Sequence, residues 1–167
     1  MRFKFLSLAA VALLLAACET APDQGAATTG QGAQGAKTAV KSDAVAKPAK
    51  GSQEDLVASV GDRVFFDFDK SDLKAEARAT IENQAEWLKS NPGVTVTIEG
   101  HCDERGTREY NLALGDRRAN AVRSYLVALG IDANRISTIS YGKERPEVLG
   151  SNDWAWSQNR RGVMMVN

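Results

Sequence analysis

The chain is poor in the residues from which most catalytic chemistry is built. Its 167 residues include two cysteines and one histidine. Two cysteines exclude a disulfide framework. The lone histidine, His101, counts against a catalytic zinc, which usually takes three protein ligands. Charge of one sign is not in excess either: 21 basic side chains face 21 acidic ones. Nucleic-acid modules usually carry a marked basic excess, so a general polyanion binder is excluded and any recognition of charge is local. The uncharged stretch at residues 5–17 falls short of the roughly 20 residues that a membrane-crossing helix needs. The length suits one domain better than two.

That short stretch has its own meaning. Arg2 and Lys4 precede it, and Leu, Ala and Val dominate it. A positive start followed by a brief apolar run reads as a secretory signal. It ends in Leu15-Ala16-Ala17-Cys18, which resembles the bacterial lipobox. The expectation is that residues 1–17 are removed and Cys18 is acylated. Acyl chains bury methylenes at about 0.8 kcal/mol each, which makes such an anchor effectively permanent. By the same resemblance, Glu19 rather than Asp after the cysteine favours the outer membrane. An ordinary signal cleaved near Ala17 is the alternative. Residues 19–51 hold Ala, Gly, Gln, Thr and Lys with no aromatic. They cannot bury enough apolar area to offset ordering and read as a flexible linker. A linker of this length reaches roughly 30 Å on average and about 110 Å fully stretched.

From residue 52 the pattern is that of a folded domain. Residues 53–60 predict a short helix docking through Leu56, Val57 and Val60. Residues 64–68 read as a strand. Ser71 or Asp72 is the expected cap of a helix whose stripe is Leu73, Ala77, Ile81, Ala85 and Leu88. Residues 94–98 alternate as a strand with one buried face. A polar loop follows, then a helix from about 109 to 129 that turns Ala119, Val122, Leu126 and Leu129 inward and stops at Gly130. Residues 136–141 and 161–166 complete the strands, with a helical turn expected around Trp154 and Trp156. This order implies one sheet with helices on one face, an α+β class.

Two features concentrate polar chemistry. The first is the loop Gly100-His101-Cys102-Asp103-Glu104-Arg105-Gly106-Thr107. It lies between a strand and a helix, where ligand sites are common. The second is Arg118, four residues from both Leu114 and Val122 and so on their side of the helix. An arginine beside a core stripe needs an anion. An internal bridge to Asp103 or Glu104 would supply one, and so would a ligand carboxylate held by the guanidinium fork.

Asn111, Leu114, Gly115, Arg118, Ala119 and Val122 together resemble the peptidoglycan-association motif of the OmpA-like domain family. Residues 66–69, 100–107, 141–146 and 159–161 resemble that family as well, in the order found in peptidoglycan-associated lipoproteins. The resemblance covers about residues 52–167. It implies a two-layer α/β sandwich with one four-stranded mixed sheet. It also implies a non-catalytic, periplasm-facing lipoprotein of the outer membrane that binds the diaminopimelate residue of the peptidoglycan stem peptide. Residue by residue it assigns Arg118 to the ligand carboxylate and Asp103 to its ammonium, with Asp69 and Leu114 lining the pocket. Phe68, Thr107, Asn111, Gly115 and Val122 are supporting motif positions. No cofactor beyond the covalent lipid is implied. The resemblance also implies partners, the β-propeller protein TolB and other Tol proteins, and thereby a part in envelope integrity and division. The alternative is an interaction module acting mainly through TolB. Trp154 and Trp156 could anchor such an interface or be core or lid residues. Cys102 stands where relatives usually have a small residue such as Thr or Ala. Strand parity points it inward, where a free cysteine behaves as a small hydrophobe. A redox role, or an enzymatic site with His101, Cys102, Asp103 and Glu104, is the competing reading. Neighbouring strand residues face opposite ways, so His101 and Cys102 should not converge.

Overall fold

The computed structural model describes residues 47–167. The expected signal peptide at 1–17, Cys18 with its expected acylation, and most of the expected linker lie outside the described residues. Helix α1 (Gln53–Ser59) starts at Ser52, whose side chain accepts from the Asp55 N–H at 3.2 Å. Its Leu56 is fully buried, whereas Val57 is 49% exposed and does not join the core. Strand β1 (Arg63–Phe65) is shorter than the expected 64–68. The Phe66 N–H still donates to Arg160 O at 2.9 Å, but the chain then turns through Asp69, which has φ 58°. A left-handed residue cannot continue an extended strand.

Helix α2 (Ala75–Ser90) begins after Lys74, not at Ser71 or Asp72, and no side chain caps it. Just upstream, Lys70 O accepts from Arg118 at 2.8 Å and the Leu73 side chain packs on the core. Residues 70–74 are thus tied to the rest of the fold and lead into the helix without forming its first turn. Of the expected stripe, Ala77, Ile81, Ala85 and Leu88 are buried on α2, whereas Leu73 precedes the helix and is only partly buried against the core. Strand β2 (Val96–His101) starts two residues late because Val94 is held in a turn by Asn91 O and its own carbonyl accepts from Arg135. Helix α3 (Arg108–Ala128) is capped by Thr107, which accepts from the Tyr110 N–H at 3.2 Å. It ends at Gly130, whose φ of 93° suits glycine. Strand β3 (Ile136–Gly142), helix α4 (Asp153–Asn159) and strand β4 (Arg161–Val166) complete the domain.

The sheet order is β1-β4-β2-β3, with β2 and β3 parallel and the other pairs antiparallel. It is the expected four-stranded mixed sheet. Helices α2 and α3 contact each other; α3 also packs on β2, β3 and β4, and α2 on β1. Their shared core includes Ile81, Leu88, Val96, Ile98, Val122 and Leu126.

One close approach positions the site. A Cβ on Gly100 would overlap the Gly115 carbonyl oxygen and lie 2.6 Å from its carbonyl carbon. Strand β2 and helix α3 thus meet backbone to backbone, next to the loop that joins them. Among the described residues no helix is long and apolar enough to cross a membrane.

Candidate functional site

The loop from β2 to α3 and the turn after β1 enclose a cavity of about 150 Å³. Asp69, Asp103, Leu114 and Arg118 all line it, together with Phe68 and Asn111. The structure therefore gathers the four expected ligand residues around one space. Thr107, Gly115 and Val122 are not in its wall; they cap α3, permit its close approach to β2 and fill the core, respectively. A cavity this small is below the roughly 300 to 1,000 Å³ of drug-sized pockets and suits the tip of a ligand.

Arg118 is fully buried. Its Nε donates to Lys70 O at 2.8 Å, Nη1 to His101 O at 2.7 Å and Nη2 to Asp67 O at 3.0 Å. Three of its five N–H groups are used on carbonyls, and the guanidinium also lies 5.1 Å from the Phe66 ring centre. Neither internal bridge considered from spacing is made. Asp103 pairs with Arg105 at 2.6 Å and Arg160 at 3.3 Å, while Glu104 accepts from Trp156 Nε1 at 3.0 Å. Burial pushes the Arg118 pKa down from its usual value, yet a guanidinium stays charged. The result is a fixed cation with spare donors beside a cavity.

Asp103 is 4% exposed. Burial pushes its pKa up, but the hydrogen bonds from Arg105 and Arg160 outweigh that and hold it below the usual carboxylate range. Asp69 accepts from the Tyr110 hydroxyl. Asn111 Nδ2 donates to Arg105 O at 2.8 Å and Thr107 O at 3.1 Å, which locks the loop to the first turn of α3. Cys102 is buried in the same wall, its Sγ 3.4 Å from Asn111 O. Burial pushes its thiol up to about 11, so little thiolate exists at neutral pH to support redox chemistry.

Sequence reasoning gave no role to Arg105, Arg160 or Tyr110, all of which line the cavity. The first two lay inside quoted motifs, but nothing in spacing tells which acid an arginine will meet. Trp156 is not in the cavity wall; it stacks on Arg105, whose guanidinium lies 4.1 Å from its ring centre. Trp154 is 65% exposed and belongs to no core.

His101 and Cys102 do diverge. His101 is 1% exposed and meets Glu99 and Tyr141, not the cavity. No group of three His, Cys, Asp or Glu residues could hold a metal among the described residues. Burial, reinforced by the Arg161 charge, pushes the His101 pKa down to about 4. The folded value lies below the unfolded one, so this contribution to stability is complete above about pH 6.5 and drains away as pH falls toward 4. Between pH 7 and pH 5 the wild-type protein is expected to lose about 2 kcal/mol from this group. Urea unfolding at both pH values should show a flatter dependence for His101→Gln; equal slopes would refute the assignment.

Residues 65–160 match the OmpA family. A peptidoglycan-associated lipoprotein of Rhizobium meliloti is 56% identical over 116 residues, which are 70% of this chain and 66% of the relative. That of Pseudomonas aeruginosa is 43% identical over 164 residues, 95% of each chain. The crystal structure of the peptidoglycan-associated lipoprotein from Burkholderia pseudomallei superimposes with a TM-score of 0.62 at 42% identity, covering 64% of this chain and 90% of that one.

Proposed function

The chain belongs to the OmpA family and, within it, to the peptidoglycan-associated lipoproteins, and on that premise we propose that it tethers the outer membrane to the cell wall by gripping peptidoglycan non-covalently, without catalysis. The tip it grips is the free end of diaminopimelate in the stem peptide, which carries an ammonium and a carboxylate on one carbon. Arg118 takes the carboxylate, Asp103 the ammonium, and Asp69 and Leu114 shape the seat.

The observation that carries this reading is the buried Arg118 guanidinium, with donors to spare, on the wall it shares with a buried carboxylate. A zwitterion matches that pair. Each charge-assisted hydrogen bond adds about 1.5 to 3 kcal/mol net, so a few of them suffice for a micromolar site near 8 kcal/mol. Weak single grips add up when many anchored copies face one polymer. Cys18 is the anchor, acylated in the outer membrane, and residues 19–51 let the domain reach the wall. TolB and other Tol proteins are the protein partners, with TolB covering the same pocket. Exposed Trp154 is available to such a partner.

Co-sedimentation of the full chain with purified diaminopimelate-type peptidoglycan tests the reading. Asp103→Asn is expected to lose at least about tenfold in binding while its circular dichroism stays that of the wild type. Free TolB should release the wild-type protein in proportion to dose, and the intact mass of membrane-extracted protein should place the acyl chains on Cys18. A folded Asp103→Asn variant that pellets like wild type would overturn the ligand assignment. A ternary pellet at full occupancy would overturn the overlap with TolB, and an unmodified Cys18 would overturn the anchor.

A further inference from the structure

Asp103 does not face the cavity as a free carboxylate. Arg105 covers both its oxygens, Nη2 lying 2.6 Å from Oδ2 and Nε 3.2 Å from Oδ1, and the Arg105 N–H adds a bond of 3.1 Å to Oδ1. The same guanidinium is stacked between two rings, 3.9 Å from the centre of Phe68 and 4.1 Å from that of Trp156. Trp156 is in turn held by Glu104. Arg105 thus fills a seat suited to a cation: an acid at its head and an aromatic face on either side. It is not locked there by burial, because its side chain is 33% exposed whereas that of Asp103 is 4% exposed.

Arg160, the other cation on Asp103, differs. Its Nε donates to Phe66 O at 3.0 Å and its side chain is 15% exposed. It is built into the frame and can stay beside Asp103 when Arg105 leaves.

We propose that Arg105 is an internal competitor for the ligand: its guanidinium occupies the cation seat on Asp103 in the free protein and must swing out from between Phe68 and Trp156 before an ammonium can enter. This rests on the reading that Asp103 receives a ligand ammonium. The consequence is a threshold. A lone amine offers less to Asp103 than the two-point fork and two ring faces it must displace. A ligand that also brings a carboxylate for Arg118 recovers that cost. Arg105 therefore sets the affinity of the site and keeps simple amines and lysine side chains out of it.

The test is calorimetric titration of the full chain with a soluble tetrapeptide muropeptide that contains diaminopimelate. Arg105→Met keeps an apolar stem between the rings and removes the fork. It is expected to tighten binding about tenfold, with Trp156→Leu, which loosens one wall, shifting Kd the same way by less. Arg105→Lys keeps the charge without the planar fork and should fall between wild type and Arg105→Met. Should Arg105→Met not fold, Arg105→Lys decides by the same measure. An unchanged or weaker Kd in the deciding folded variant overturns the proposal. Asp103→Asn in the wild-type background separates the two ideas. If it binds as wild type does, the ligand assignment itself fails. If it loses binding while Arg105→Met gains none, only the competitor fails.

Discussion

A muropeptide with lysine in place of diaminopimelate is expected to bind the full chain about thirtyfold more weakly, or worse. Lysine keeps the amine and lacks the carboxylate, so Arg118 loses its proposed anion. The tertiary structure tempers the size of the effect. Arg118 already donates to Asp67 O, Lys70 O and His101 O, so the guanidinium is not orphaned when the carboxylate is missing. What disappears is one charge-assisted contact at about 2 kcal/mol, equivalent to roughly thirtyfold in Kd. Amidated diaminopimelate keeps the shape but offers a neutral amide to the same cation, and should lose a similar factor. Sites built to hold a polar group discriminate strongly against analogues that lack it. Calorimetry with the three muropeptides measures this directly. Equal affinities would mean that Arg118 only braces the turn after β1, and that recognition rests on the sugar or on backbone contacts. Changing the ligand is cleaner here than changing the protein: Arg118→Ala would remove the buried donor shared by three carbonyls, that of buried His101 among them, and perturb the fold along with the site.

Gly100→Ala is expected to give the largest loss of stability of any single methyl addition in the described domain. The added Cβ would overlap the Gly115 carbonyl oxygen, an atom of helix backbone that cannot rotate away. Overpacking a core costs typically about 1 to 3 kcal/mol when side chains can yield; with backbone in the way, about 3 kcal/mol or more is expected. The urea midpoint should fall by more than about 1 M. Gly93→Ala is the control, since nothing lies within 4 Å of a Cβ there, and it should stay within about 0.5 kcal/mol of wild type. Gly115→Ser should be intermediate, because it first meets the Ser140 hydroxyl, a movable side-chain end, although Gly100 O lies 2.8 Å away. A Gly100→Ala variant as stable as the control would mean that β2 and α3 can separate freely. In that case the cavity wall they form would not be fixed.

Local pattern decided much of this protein. The two long helices announced themselves by apolar residues every three or four positions, and Thr107 and Gly130 closed α3 by side-chain and backbone chemistry that acts over one turn. Strand β4 was legible to the residue at 161–166. Asp69, Asp103, Leu114 and Arg118 were legible as a set through the motif, and they do line one cavity.

What the sequence could not announce was set by partners distant along the chain. Between the early end of β1 and the late start of α2, Arg118 takes the carbonyls of Asp67 and Lys70, 51 and 48 residues away, and Asp69 turns the chain with a positive φ. Arg118 carries no internal salt bridge because Asp103 is already taken by Arg105 and by Arg160, the latter 57 residues distant. Trp156 meets Arg105 and Glu104 because the fold brings α4 against the loop that leaves β2. Helical and strand periods arise from backbone geometry repeated between neighbours, so a sequence displays them. The choice among several arginines and several acids depends on which of them the closed sheet brings within 3 Å or so of one another, and only the tertiary structure makes that choice.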